Sequence, residues 1–413
     1  MPNVASLPPS RDELPTWELL HRFNDGSSLP PDGKDTVRRV LASLESRFGS
    51  SWVMRQFRDQ GWLPPEFLGF AAYTAVLPQL LALYARLEAW ADDPGFKPVF
   101  SKVRRTCTTA DWRHALLQLE VARAATAMGW AATFEPDIPD SRNKGDLLLN
   151  TGGESPMLVE TTTLGRTSDD LLTDQFENQL QDWLMRLENQ HRVHTVTDLS
   201  DRLELEAAQR WFSEIAQAAE AVAVSGSPET VRCSSGTATV RPGDAPVGAP
   251  TFSGVPRVRD LGRRLRKLLL DKAKQSAGPY PTWIRVDGLD GVFAFTSWAQ
   301  AAPADRIRAL AELLVEPLAE HQHVCGVIYS SGLAAGGYGA QPGTLDDTVE
   351  TVPGVFLRRE QAQFLFRELI ILPVRPDARE LATAWAPAYS SEPSWLDEDL
   401  AMCGMPPLAV IRP

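Results

Sequence analysis

Asp146 and Glu160 are the residues whose type and spacing invite chemistry. Thirteen residues separate them, and they belong to the runs GDLLLN and PMLVETTTL, joined by TGGES. Each run reads as a short strand and TGGES as a hairpin turn. Side chains alternate along a strand, so Glu160 and Thr162 share one face while Val159 and Thr161 take the other. Folding about the turn sets Asp146 almost opposite Glu160–Thr161. Two carboxylates held together among leucines and valines are costly, and a bound divalent cation is one way to keep both ionised. The plain alternative is a turn-capping Asp146 and an edge-strand Glu160 facing solvent.

Glu120 is a third candidate. It lies in the helix-like run DWRHALLQLEVARAATAMG, with Leu116, Ala124 and Ala127 as neighbours on its helical face. That stripe should turn it toward the strands, unless it simply pairs with Arg113 or Arg123 at the surface. Three converging carboxylates are hard oxygen donors and suit Mg²⁺ or Mn²⁺ better than zinc. A second helix, about Val258–Gln275, is strongly basic. At about 100° per residue, Leu261, Leu265, Leu268 and Lys272 fall on one stripe with Gln275 at its edge. Arg263, Arg266, Lys267 and Lys274 fall opposite, where they suit phosphate contacts or form an ordinary solvated face. Lys272 is then the cation on the core-facing side, or a residue that snorkels from the helix end.

Taken together, LLQLEVARAATAMGWAATFEP and KGDLLLNTGGESPMLVETTT resemble the PD-(D/E)XK, restriction-endonuclease-like nuclease superfamily. The texture is nearest to its Mrr- and RecB-like members. The resemblance covers about residues 111–163, with a continuation to the strand ending near Ser330. It implies that Asp146 and Glu160 are metal ligands, that Glu120 is an auxiliary ligand, and that the Thr161 backbone carbonyl completes the set. It also implies hydrolysis of phosphodiester bonds, in DNA rather than RNA, with Mg²⁺ or Mn²⁺ as cofactor. Two positions depart from the pattern. Gly145 stands where the family often has proline, and Thr162 stands where it has its lysine. That lysine is known to migrate in this superfamily, and Lys272 with Gln275 looks like such a variant. The other reading is a catalytically inactive nuclease-fold subunit that binds DNA or a partner protein, in a defence or repair assembly or as a homo-oligomer.

The elements that must position these residues read as helix–strand–strand–strand–helix–strand–helix–strand, an α/β chain with a mixed sheet flanked by helices. Residues 1–105 read as a helical accessory domain without chemistry of its own. Residues 106–335 read as the nuclease-like core, with an insertion around 168–255 that opens on a long helical region, and 336–413 as a C-terminal extension. A length of 413 residues with 43% hydrophobic and 23% charged residues provides for a sizeable core. The 41 basic and 53 acidic residues leave a net charge of −12, so a polyanion would need a local basic patch. The four cysteines lack C-x-x-C spacing, which excludes a disulfide scaffold or zinc ribbon and suits a reducing, cytoplasmic setting. No run is apolar and long enough for a membrane span, and the N-terminus does not read as a signal peptide. His191/His194 and His321/His323 have metal-like spacing but read as surface histidines. SSGLAAGGYG lacks a phosphate-loop order.

Overall fold

The computed structural model describes residues 15–67, 77–105, 107–139, 144–153, 156–164, 168–243, 251–253, 261–288, 311–331, 334–335, 349–352, 355–362, 365–390 and 392–412. Contacts within the chain divide it into two compact units, residues 9–165 with 261–413, and residues 166–260.

The larger unit opens with helices α1 (Trp17–Gly26), α2 (Pro31–Phe48), α3 (Trp52–Gln60), α4 (Leu77–Trp90), α5 (Lys97–Arg105) and α6 (Thr109–Ala127). The start of α6 is set by a capping box in which the Thr108 hydroxyl accepts from the Asp111 N–H while Asp111 accepts from the Thr108 N–H. Gly129, just past its end, takes a φ of +73° that favours glycine. Three strands follow, β1 (Ala131–Phe134), β2 (Leu147–Asn150) and β3 (Met157–Leu164).

The smaller unit then intervenes. It holds α7 (Ser168–His191), β4 (Val193–Leu199), α8 (Leu205–Ser225), β5 (Glu229–Cys233), β6 (Gly236–Pro242) and β7 (Thr251–Ser253), with sheet order β5-β6-β4-β7. The long helical region expected here is broken by β4. The break falls at Arg192, whose φ of +53° reverses the chain. The alternation Val193, Thr195, Thr197, Leu199 is buried beneath the helices, so period two overrides helical continuation.

The chain returns to the larger unit with α9 (Leu261–Gln275), β8 (Thr282–Gly288), β9 (Val324–Ser331), β10 (Ala334–Ala335), β11 (Val349–Val352), β12 (Val355–Ala362) and β13 (Leu365–Pro373). Helices α10 (Arg379–Ser390), α11 (Glu392–Met402) and α12 (Leu408–Ile411) close it. Among the described residues its sheet is mixed, in the order β1-β2-β3-β8-β9-β13-β12-β11, with β10 also pairing β13. Strands β3, β8 and β9 run parallel, and the flanking pairs are antiparallel.

The central strands are buried on both faces, which explains their near-continuous apolar runs. On one face Met157, Val159, Trp283 and Ile328 join the core of the N-terminal helices, α6, α10 and α11. On the other, Leu164, Ile284, Val286 and Val327 pack against Leu265, Leu269 and Ala273 of α9. The described residues of the expected 1–105 domain therefore do not stand apart from the core. Trp112 of α6 lies 5.9 Å from the Trp52 ring, the Trp52 indole donates to the Val103 carbonyl, and Gln56 bonds the Cys107 backbone through both ends of its amide. The segment after 336 likewise supplies sheet strands, an edge that its sequence concealed behind charged and glutamine residues.

Candidate functional site

The β2–β3 register, Leu147 opposite Val159, carries Asp146 level with Glu160 at the point where β2 begins. Strand alternation then divides their surroundings. Glu160 faces α9, with Leu164 four residues on in the same core, while Thr161 faces α6 and meets His114. Asp146, at the strand end, is reached from both sides. Gly145 is closely approached here, since a Cβ would stand 2.4 Å from Leu158 Cδ1 and that leucine side chain would have to move aside.

Lys272 enters from the last turn of α9. Its Nζ donates to Glu160 Oε2 at 2.9 Å and to Asp146 Oδ2 at 3.2 Å. Asp146 Oδ2 also accepts from the Thr161 backbone N–H at 2.7 Å and the Thr161 hydroxyl at 3.1 Å. Gln118 Nε2 donates to Asp146 Oδ1 at 3.3 Å, and His114 Nε2 lies 3.4 Å from the same oxygen. The Glu160 side chain is fully buried, and those of Asp146 and Lys272 are nearly so. Glu160 Oε1 is buried with no hydrogen-bond partner among the described residues.

These contacts push the two carboxyls apart. Burial works to raise Asp146, but the His114 contact, the Lys272 charge and the Thr161 N–H outweigh it, and its pKa falls below the usual carboxylate range. Glu160 is raised to about 7, by burial first and by the Asp146 charge next, with Lys272 opposing both. Burial disfavours the Lys272 charge, yet the two carboxylates prevail and its pKa rises. One firmly ionised carboxylate thus sits beside one poised to gain or lose a proton near neutrality. Compared with known protein families, curated proteins and solved structures, the chain matches none.

The chemistry of the donor set is compatible with a hard cation. Among the described residues no group of three or more His, Cys, Asp and Glu side chains is gathered to hold a metal. Mg²⁺ needs less than that, since it commonly binds through one or two carboxylates and completes its shell with water and substrate oxygens. The unpartnered Glu160 Oε1 is a free acceptor for such an ion. Thr161 adds to the set, because an extended residue turns its N–H and C=O to the same strand edge, here the edge that faces Asp146.

Of the expected site residues, Asp146, Glu160, Thr161 and Lys272 are brought together. Glu120 is not. It lies on the opposite sheet face from Glu160, where Arg285 Nη2 and Nε donate to its Oε1 at 2.8 and 3.1 Å. Its carboxylate is held by Arg285 on the buried side of the sheet rather than beside Asp146 and Glu160. Gln275 is half-buried and contributes no hydrogen bond to the cluster among the described residues. The buried stripe of α9 is Leu265, Leu269 and Ala273, rotated slightly from the expected Leu261–Leu265–Leu268 line, and Lys272 flanks it. Arg263, Arg266, Lys267 and Lys274 are exposed.

His194 lies beside Glu188, and His323 contacts the Ala273 carbonyl, so neither histidine pair forms a metal site. Most of the Gly-rich stretch after Ser331 lies outside the described residues. Sequence reasoning missed His114 and Gln118. Their spacing of four residues on α6 was the available signal, placing both on the helix side that meets the start of β2.

Proposed function

We propose that this chain is a PD-(D/E)XK-type, metal-dependent nuclease that hydrolyses phosphodiester bonds in DNA. The observation that carries the proposal is the position of Lys272, whose ammonium bridges Asp146 and Glu160 at 3.2 and 2.9 Å. Thr162 cannot supply that charge from the strand, and α9 supplies it from the neighbouring helix. The element order α6–β1–β2–β3–α9–β8, with residues 166–260 inserted between β3 and α9, supports the same fold class.

Asp146, Glu160 and the Thr161 carbonyl would hold Mg²⁺ or Mn²⁺, which when bound polarises a phosphate and lowers the pKa of a water. The chain's own residues perform the rest. The Thr161 N–H and hydroxyl, Gln118 and His114 fix the Asp146 carboxylate in place. Glu160, poised near pH 7, takes or returns a proton without a large penalty. Lys272 offers a preformed positive charge to the pentavalent phosphate as negative charge accumulates there. The exposed basic face of α9 meets backbone phosphates and compensates locally for the overall charge of −12.

One observation favours a second reading, a nuclease-fold subunit without catalysis that binds DNA or a partner protein. Lys272 already stands between the carboxylates and offsets one of their two charges, and Glu160, raised to about 7, sheds the other on protonation, so the cluster can be neutral without a metal. Calorimetry with Mn²⁺ on the wild type and Asp146→Ala separates the two, paired with cleavage assays on DNA and RNA. The nuclease reading expects Mn²⁺ binding that Asp146→Ala abolishes and cleavage that disappears with it. Identical Mn²⁺ titrations for both proteins, with no cleavage by either, would remove it.

A further inference from the structure

The exposed side of α5 carries four cations and no acid, in a chain whose net charge is −12. Val99, Phe100 and Val103 turn into the core of the N-terminal helices, which leaves Lys97, Lys102, Arg104 and Arg105 outside. Helix formation does not require them. The C-terminal end of a helix bears only about half a negative charge, and its N-terminal end, where Lys97 sits, disfavours a cation. Among the described residues Lys97, Arg104 and Arg105 meet no carboxylate, and Lys102 reaches Glu135 alone, at 3.8 Å. Arg55 of α3 adds its charge by donating to the Arg104 carbonyl at 3.4 Å. The adjoining acids are engaged elsewhere, Asp111 by Thr108 and Asp59 by Arg58.

The patch adjoins the carboxylate site. Phe96, at the head of α5, packs on Phe134 of β1 with ring centroids 4.9 Å apart. Glu135, the residue that meets Lys102, follows β1 and donates its backbone N–H to the Asp146 carbonyl at 3.0 Å. A single residue therefore links Lys102 to Asp146. Lys144, two residues ahead of Asp146, is exposed on the connection between β1 and β2. The α5 core is shared with α6 on one face of the sheet, and α9 packs on the other. Asp146 thus stands between two basic helices. Along α5, about 12 Å from first cation to last at 1.5 Å per residue, the cations span the axial rise of about four phosphates of one DNA strand. We propose that α5 and Lys144 form a second DNA-backbone surface, holding phosphates that flank the one at Asp146 on the side away from α9. The inference rests on the nuclease reading for the path of the strand, and continuity with Asp146 favours that strand over a lipid surface or an acidic protein.

The test is fluorescence anisotropy of the full chain with a labelled DNA duplex across a salt series, in EDTA so that no cleavage intervenes. The triple variant Lys97→Ala/Arg104→Ala/Arg105→Ala removes the cations without a carboxylate. It should bind about tenfold or more weakly at low salt, and its slope of log affinity against log salt should flatten by about two to three, at about 0.9 per phosphate. All three side chains are exposed, and Mn²⁺ affinity by calorimetry should stay at the wild-type value. Lys144→Ala leaves α5 intact and should flatten the slope by about one. An unchanged slope in both variants, or a wild type that binds no DNA at low salt, would overturn the proposal. Mn²⁺ binding and cleavage that persist beside such a result would show that the nuclease reading survives it. The reverse result, α5-dependent DNA binding by a wild type that neither binds Mn²⁺ nor cleaves, would keep the surface and remove the nuclease. Undiminished DNA binding by the triple variant, with binding to phosphatidylserine vesicles lost, would assign the face to lipid and overturn the proposal as well.

Discussion

Replacing Lys272 with methionine keeps most of the side-chain volume and removes the charge that bridges Asp146 and Glu160. The two carboxylates then face each other with no cation between them, in a place where their side chains are 13% and 0% exposed. Removing one member of a buried ionic cluster costs about 3–5 kcal/mol, chiefly because charge is left uncompensated. The cost depends on pH in a definite direction. Glu160, raised to about 7 even with Lys272 present, is readily protonated at pH 6, and its carboxyl can then donate to Asp146. At pH 8 that relief requires protonation against the solvent. Lys272→Met should therefore lower the melting temperature by about 6–20 °C at pH 8, from about 3–5 kcal/mol on a scale of about 2–4 °C per kcal/mol, and by clearly less at pH 6. Mn²⁺ restores positive charge between the carboxylates, so it should raise the variant's melting temperature more than the wild type's. The cleavage rate with saturating metal should still fall about 10²–10³-fold, the scale of one lost electrostatic stabiliser. Differential scanning fluorimetry at the two pH values, with and without Mn²⁺, reads the first three quantities. A variant as stable as wild type at pH 8, or equally destabilised at both pH values, would refute the electrostatic account of the cluster.

Three further outcomes follow from the same geometry. Glu160 favours the folded state fully below its ordinary pKa of 4.5 and loses that contribution as pH rises through about 7, whereas metal needs the ionised form. Mn²⁺ affinity should thus climb about tenfold per pH unit up to about pH 7 and then level off, one proton being released; a flat titration series from pH 5.5 to 7.5 (on the order of two units across that pKa) would contradict it. Lys274→Ala, on the exposed face of α9, should weaken DNA binding and reduce its salt slope by about one without altering Mn²⁺ affinity, as fluorescence anisotropy at several salt concentrations would report. A chain beginning at residue 101 should fail to fold, because it strips Phe48, Trp52 and Phe67 from around Trp112; a cooperative melt from that fragment would show the N-terminal helices to be dispensable.

Much of the site was legible because it is built from short-range pattern. A hairpin turn with two apolar arms fixes which residue of one strand lies level with which residue of the other, and that alone places Asp146 beside Glu160. Helical periodicity picks out Lys272 among the basic residues of α9 for the same reason. Glu120 was misplaced because its helical stripe says that it faces the sheet but not which face of the sheet it meets. Its partner, Arg285, is 165 residues away and invisible to any local window. His114 and Gln118 were missed on similar grounds, since their contact with Asp146 depends on where α6 crosses the start of β2. Strands β11 to β13, toward one end of the sheet, were hidden by charged side chains, and β4 by the helices on either side of it.

The position of Lys272 also explains how Thr162 can be tolerated. In a strand, the residue two beyond Glu160 points to the same face, toward α9, so a lysine there would enter the space that Lys272 already occupies from the helix. Thr162 is only 7% exposed beneath that helix. A second ammonium would match the remaining carboxylate charge, but its long side chain would have to be desolvated and packed into space that Lys272 already fills, and that burial and crowding carry the cost. On the proposed nuclease reading, the short hydroxyl of Thr162 and the helix-borne Lys272 would be complementary halves of one arrangement. Thr162→Lys in the wild-type background should destabilise the fold, whereas Thr162→Lys with Lys272→Met should recover part of the lost stability. Strict additivity of the two substitutions in a double-mutant cycle would mean that the two positions do not share the site.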